Sequence, residues 1–306
     1  MTQDPVVSVV IATNRDSPFL AEAIASVVAQ TYSPWELIVV DNGVPDPAPL
    51  HRLVAAIPRS RVVHVPPPVT VSLARNAGVA ASEGALVVFL DDDDVWHPER
   101  LERQVRALAA KPEAPASYCG GWHLDAEGRT IEPAWPAAPA TAAEMLSRRK
   151  RMPHICGAMM IRRLAFAESG GFSPELTMME DFELALRLLQ RGDFACVPDA
   201  LVGYRRHDRN ATGTGLENAR VRRDALDGIL SRHRWAARVR GDALTARLLE
   251  EHLVRERRRA AAEAAAAALW SARRLRLGDV VRECVWGMRR SPAGFGWGLI
   301  ERLVRR

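Results

Sequence analysis

Cysteine is scarce in this 306-residue sequence: Cys119, Cys156, Cys196 and Cys284 lie far apart and form no Cys-x-x-Cys pair. That excludes a disulfide framework and a thiolate zinc site, and the thiols are expected to be reduced. Long apolar runs are also missing. No segment reaches the roughly 18 uninterrupted apolar residues of a membrane helix, and the opening stretch MTQDPVVSVVIAT carries an acid where an export leader carries bases. A cytoplasmic location is the resulting expectation. No internal repeat is visible, which removes solenoids and propellers. The apolar fraction of 48% is that of an ordinary folded protein and excludes disorder.

Charge is present in quantity but divided unevenly. The net +5 combines a tail, residues 216–306, with 21 arginines against 11 acids, and a body, residues 1–215, with 21 basic groups against 26 acidic ones. A basic tail on an acidic body predicts two regions with different partners.

The body alternates strand and helix patterns. VVSVVIAT (Val6 to Thr13) is a β-branched run dense enough to be buried on both faces. Ser17 and Pro18 read as N-cap and first helical residue, with Leu20, Ile24, Val27 and Val28 on one helical face. WELIVVDNG (Trp35 to Gly43), RVVHV (Arg61 to Val65) and ALVVFL (Ala85 to Leu90) predict further strands, separated by helices over Pro49 to Ile57 and Val71 to Ser82. Such alternation implies βαβ units and a parallel sheet, whose ligands sit beyond the carboxyl ends of the strands. A helix from Pro98 to about Ala110, a hairpin from ASYCGGWHL to RTIEP, a loop over Pro133 to Pro153 and a strand over HICGAMMI are expected next. TMMEDFELALRLLQRGD (Thr177 to Asp193) reads as an amphipathic helix with a Thr177/Glu180 capping box. Asp181 then falls near the helix start, where the dipole favours its ionised form.

Two strands end in carboxylates: Asp41, and the run Asp91 to Asp94. Asp-x-Asp at a strand end can set two carboxylates on one side, suited to a hard divalent cation such as Mg²⁺ or Mn²⁺ that takes its other ligands from water and phosphate. A solvated acidic turn is the bland reading; the position directly on a buried strand favours the cation.

The segments VVSVVIAT, WELIVVDNG, LARNAG, FLDDDDVWHPERL, GGF and EDFELALRL occur in that order. Taken together they resemble the inverting glycosyltransferases of family 2, over about Val6 to His207. The resemblance implies a GT-A fold: an α/β domain with a mostly parallel mixed sheet flanked by helices, here residues 1–215, followed by an Arg/Ala-rich helical extension, residues 216–306. It implies a donor site for a nucleoside-diphosphate sugar, UDP or dTDP linked, in which Asp41 holds the base, Thr13 lines the same pocket, Arg75 stands near the phosphates, and Asp91 and Asp92 near ribose and sugar. Asp93 is implied as a ligand of Mg²⁺ or Mn²⁺, with His207 of YRRH completing the metal shell, or Arg205 or Arg206 contacting the diphosphate instead. Asp181 is implied as the catalytic base, with Glu180 beside it. The acceptor would be a glycan or a lipid-linked acceptor in cell-surface polysaccharide or glycolipid assembly.

Independently, an inverting displacement needs one base on the acceptor side and positive charge on the leaving side, which a helix-start carboxylate and a carboxylate-held cation provide. The sequence departs from the family pattern at Asn14 and Arg15, and at DNG where a second Asp is frequent. Two other classes were weighed: a nucleotidyltransferase, disfavoured because ATNRDSPFL has no glycine-rich basic loop, and a silent sugar- or nucleotide-binding module, disfavoured because it needs no base. The basic tail suits peripheral contact with an anionic membrane, SPAGFGWGLIERLVRR included, or a homodimer interface; nucleic acid is not expected, since no recognition motif accompanies the charge.

Overall fold

A computed structural model describes residues 4–66, 69–153, 156–208, 210, 216–274 and 276–304. The chain falls into two compact units, Met1–Met145 with Arg151–Gly213, and Leu146–Lys150 with Thr214–Arg306.

The first unit is built on one sheet. Its strands are β1 (Val7–Thr13), β2 (Trp35–Asp41), β3 (Ser60–His64), β4 (Leu86–Asp91), β5 (Val95–Trp96), β6 (Ala116–Leu124), β7 (Met159–Arg162) and β8 (Ala195–Arg205). Its helices are α1 (Leu20–Val28), α2 (Ala48–Ala55), α3 (Val71–Ala80), α4 (Arg100–Ala110), α5 (Ala142–Leu146, ending in the second unit), α6 (Arg163–Glu168) and α7 (Glu180–Leu189). The strand order is β3-β2-β1-β4-β7-β6-β8-β5. The first four are mutually parallel, and the register sets Thr13 against Asp41 and Ala12 against Asp91. The chain leaves β1 on one side and returns at β4 on the other, so a topological switch point lies between the ends carrying Thr13 and Asp91.

The β-branched runs form these strands because both faces are covered: Val7, Val9, Val10 and Ile11 in β1, and Leu37 to Val40 in β2, are buried. Each such side chain contributes roughly 1.5–3 kcal/mol of transfer free energy. On one face Leu20, Ile24 and Val27 of α1 join this core. On the other, α3 lies so close that a Cβ at Gly78 would stand 2.4 Å from Val10 Cγ1 and 2.9 Å from Val40 Cγ2.

The sheet is mixed, as expected, through a different strand. The return arm of the proposed hairpin makes only the bridges Leu124 to Thr130 and Gly121 to Trp135, while β7 runs antiparallel between β4 and β6. His154 and Ile155, the start of HICGAMMI, lie outside the described residues. Ser17 does not cap α1 directly: the helix begins at Leu20 with Phe19 as its cap, and the Ser17 hydroxyl donates to the Asp92 carbonyl at 3.0 Å.

The second unit is helical: α8 (Leu216–Val239), α9 (Ala243–Arg273), α10 (Leu277–Arg290) and α11 (Pro292–Val304). Gly241, at positive φ, separates α8 from α9, and Asp242 caps α9 through Thr245. Gly278 lies inside α10, and Ser291 separates α10 from α11. Arg148 and Arg149 of the basic RRKR segment pair with Glu256 and Glu251 of α9 at 2.6 and 3.0 Å. Both arginines are therefore held in ion pairs within this unit. None of the described helices is long and apolar enough to cross a membrane.

Candidate functional site

The four acids after β4 have four different environments. Asp91 is the most exposed and accepts from Arg75 Nη2 at 2.6 Å. Asp92 is buried and saturated: Thr13 Oγ1 donates to Oδ2 at 2.6 Å, and Arg15 donates from Nη2 to Oδ1 at 2.7 Å. Asp93 Oδ2 accepts from Arg15 Nη2 at 2.9 Å and lies 3.0 Å from His207 Nε2. Asp94 is wholly buried, accepts the Arg205 N–H at 2.9 Å, and its Oδ2 has no hydrogen-bond partner. Burial, then repulsion from Asp91 and Asp93, pushes the Asp94 carboxyl far above the usual range. Asp94 thus fastens the acid run to the end of β8, and Asp91 to Asp93 face the switch point.

Asp93 is also pushed up, by burial first and then by Asp91 and Asp92, against the opposing pull of His207 and Arg15. A divalent cation would relieve that field. Asp93 Oδ2 and His207 Nε2 face each other at a distance where both could turn to one ion, so the donor set fits it in part. Among the described residues, no group of three or more His, Cys, Asp or Glu surrounds a single point, so the remaining ligands would be water and diphosphate oxygens.

Asp41 stands at the end of β2, but both its oxygens are engaged. Oδ1 accepts the N–H groups of Val44 (2.8 Å) and Gly43 (3.0 Å), and Oδ2 lies 3.1 Å from His64 Nδ1. Burial would raise its pKa, yet the Val44 N–H, the His64 ring and the Gly43 N–H outweigh that and hold it low. Its neighbour Asn42 donates to the Val69 carbonyl at 3.2 Å and leaves Oδ1 buried with no partner. A free acceptor at the end of β2 is what a nucleobase N–H requires, and the sequence reading had placed that task on Asp41 alone.

LARNAG is accounted for residue by residue. Arg75 is buried, stacks on Phe172 at 5.4 Å and joins Asp91 to Glu180, whose Oε1 accepts from Nη1 at 2.7 Å. The Asn76 amide exchanges two hydrogen bonds with the Phe172 backbone at 2.8 and 2.9 Å, tying α3 to the GGF turn. Gly78 permits the close helix–sheet approach. Thr70 Oγ1 and Ser72 Oγ donate to the carbonyls of Pro174 and Leu176, anchoring the segment that leads into α7.

That segment corrects the expected capping box. α7 begins at Glu180, two residues later than the Thr177 cap requires, and its N-cap is Met179 in the left-handed region (φ 61°) with no side-chain cap. Glu180 reaches Arg75 instead of folding back. A bulky residue at positive φ is strained, and such strain persists where the surroundings over-determine it. Asp181 follows in the first turn, half-buried, its Oδ1 accepting the Phe182 N–H at 2.7 Å. Burial first, and Glu180 second, push its carboxyl up to about 7, with Arg75 pulling the other way.

Arg205 and Arg206, the alternative diphosphate contacts, both have partners within the protein. Arg205 is buried, donates from Nε to the Asp93 carbonyl at 2.9 Å, pairs with Glu22 and lies over Phe19 at 4.6 Å. Arg206 pairs with Glu132. Phe19 also packs on the His207 ring at 5.0 Å, and Asn210 Oδ1 accepts the His207 backbone N–H at 2.6 Å, so ring and backbone are each held. Arg15, noted in the sequence only as a departure from pattern, is the main countercharge of the acid run. Its one signal was a base two residues past a strand end that faces four acids.

Residues 8–170 match the sequence profile described as Glycosyl transferase family 2. The chain belongs to this family. Among relatives, it is 27% identical over 234 residues to the uncharacterized glycosyltransferase YwdF of Bacillus subtilis, covering 74% of this chain and 84% of that protein. It is 29% identical over 192 residues to the O-antigen biosynthesis protein RfbC of Myxococcus xanthus, covering 61% of this chain but 15% of RfbC. The match to y4gI of Sinorhizobium fredii, at 30% identity, likewise covers 61% of this chain and only 20% of that protein. The chain therefore spans a minor part of the length of several curated relatives. Among solved structures, Staphylococcus aureus TarS 1–349 in complex with UDP-GlcNAc aligns with a TM-score of 0.58 at 16% identity, covering 91% of this chain and 90% of that one. The fold of this family 2 glycosyltransferase is accordingly of the GT-A type.

Proposed function

We propose that this glycosyltransferase moves a sugar from a nucleoside-diphosphate sugar, UDP or dTDP linked, to an acceptor hydroxyl with inversion at the anomeric carbon. The observation that carries the reading is the Asp181 carboxyl, raised to about 7 and connected through Glu180 and Arg75 to the acid run at the end of β4. In an inverting displacement the acceptor oxygen bonds to the anomeric carbon as the bond to the diphosphate oxygen breaks, and the acceptor proton goes to a base. A carboxyl with a pKa near neutrality is matched to that task. Thr13, Asn42 and the loop ordered by Asp41 receive the nucleoside at the carboxyl ends of β1 and β2. Arg75 and Asp91 stand at the donor phosphates and sugar, while Asp92 keeps Arg15 in place. Asp93 and His207 would hold Mg²⁺ or Mn²⁺, which when bound neutralises charge on the leaving diphosphate.

The UDP-GlcNAc complex of the structurally similar TarS supports a nucleotide-sugar donor. The naming of RfbC supports assembly of a cell-surface polysaccharide or glycolipid, with a glycan or lipid-linked acceptor. The experiment that tests the reading is calorimetric titration with UDP, dTDP and GDP, each with and without Mn²⁺, on the wild type and on Asp93→Ala. Metal-dependent binding of one nucleotide, lost in the variant, supports the site; binding of none of the three overturns it.

A further inference from the structure

Sixteen large apolar side chains stand exposed on the described residues, and seven of them fall between Trp270 and Ile300. Four make one row on α10: Leu277, Val281, Val285 and Met288, at 72%, 63%, 42% and 48% exposure. Their spacing, i, i+4, i+8, i+11, is a single helical face about 16 Å long. Away from this row Glu283 and Gly287 are buried and Trp286 packs against the alanine-rich core of α9, while Cys284, at the edge of the row, reaches the same core. On α11 the apolar residues divide the same way. Phe295 and Leu299 pack on Ala261, Ala264, Ala265 and Ala268, whereas Trp297 and Ile300 face outward. Trp270, at the end of α9, carries the guanidinium of Arg274 at 3.8 Å and that of Arg276 at 5.8 Å from its ring centroid.

We propose that the outward row of α10, with Trp297 and Ile300 of α11 and Trp270 of α9, is a docking surface for an anionic lipid leaflet. The occupant follows from charge. Among the described side chains from Trp270 onward there are six arginines, Arg274, Arg276, Arg282, Arg289, Arg290 and Arg302, against Asp279, Glu283 and Glu301. Although Arg282 pairs with Asp279 and Arg290 with Asp224 and Asp227, the balance around the apolar row stays basic. Arg282 and Arg289 border it at helical spacing. A second copy of the chain would bring a like-charged face against this one, which an isologous contact cannot avoid. A nucleic acid would use the arginines and leave the apolar row without a role. A lipid surface uses both, taking the row into the headgroup and acyl boundary and the arginines at the phosphates, with tryptophan at the interface. This inference is independent of the sugar-transfer reading and bears on where the acceptor is met.

The test is co-sedimentation of the full chain with vesicles of phosphatidylcholine alone and of phosphatidylcholine with phosphatidylglycerol, together with the doubly substituted Val281→Asp, Val285→Asp protein. Both positions are outward, so circular dichroism of the variant should match the wild type. Expected are binding to the anionic vesicles at least about tenfold above the neutral ones, a blue shift of tryptophan emission, and loss of both in the variant. Absence of binding to anionic vesicles overturns the proposal, as does binding that the two aspartates leave unchanged. A wild-type dimer that the substitutions dissociate, with no vesicle binding, assigns the row to a second copy and also overturns it.

Discussion

Arg75 Nη1 donates to Glu180 Oε1 at 2.7 Å across 105 residues of chain, while its Nη2 holds Asp91. One buried guanidinium therefore fixes the distance between the acid run and the start of α7. It also divides the labour between adjacent carboxyls: Glu180 is paired with the guanidinium, and Asp181, for which the described residues show no ion pair, carries the raised pKa. The acid run and the start of α7 are mechanically one site.

Asp181→Asn should keep nucleotide binding and lower transfer by about 10²–10⁴-fold, the usual contribution of a general base. In the wild type, transfer should rise with pH through an acid limb near 7, because the base works only after losing its proton. Initial rates measured across that limb, with nucleotide affinity in parallel, check both parts. Unchanged transfer in the variant would remove Asp181 as base.

The neighbours of Asp181 should move that limb in opposite directions. Glu180 raises the Asp181 pKa and Arg75 lowers it. Glu180→Gln should therefore shift the limb to lower pH, and Arg75→Gln to higher pH, the latter also lowering stability by about 1–3 kcal/mol as the half-buried Glu180 and the more exposed Asp91 lose their shared partner. The pH–rate profile of each variant, read with its denaturant midpoint, separates these effects; a limb that stays put in both would mean another group titrates.

How much of this was legible in the sequence depends on the range of the interaction. The strands β1, β2 and β4 were readable because a continuous β-branched run has one use in an α/β protein, and Asp41 and Asp91 to Asp94 were readable because they end those runs. Arg75 could be placed near the donor only through the family resemblance, and its partner Glu180 could not be named at all, since nothing local links residues so far apart. The capping-box reading failed for a related reason: Thr177 and Glu180 have the right spacing, but the ion pair with Arg75 takes the Glu180 side chain away and the helix starts later. Asn42 and Arg15 were passed over as deviations from pattern, although they supply an open acceptor and the main countercharge of the site.

Gly78→Ala should destabilise the first unit by about 1–3 kcal/mol, the usual cost of overpacking. The added methyl would meet Val10 Cγ1 at 2.4 Å and Val40 Cγ2 at 2.9 Å, both on fully packed strands. Chemical denaturation measures the loss. A Gly78→Ala, Val10→Ala pair should recover part of it, because the second change removes the methyl in closest contact.

The raised Asp181 carboxyl also has a sign in stability. Its folded pKa of about 7 lies above the unfolded value near 3.9, so its contribution to stability is fully present below about pH 4 and is lost as pH rises through about 7. Asparagine has no proton to lose. Asp181→Asn should therefore melt at a higher temperature than the wild type at about pH 8, with the gap closing as pH is lowered toward 4. Thermal melts at several pH values check this. A variant that is both more stable and inactive identifies a group retained for chemistry at a cost to the fold; a melting gap independent of pH would show that the Asp181 carboxyl does not titrate where its surroundings place it.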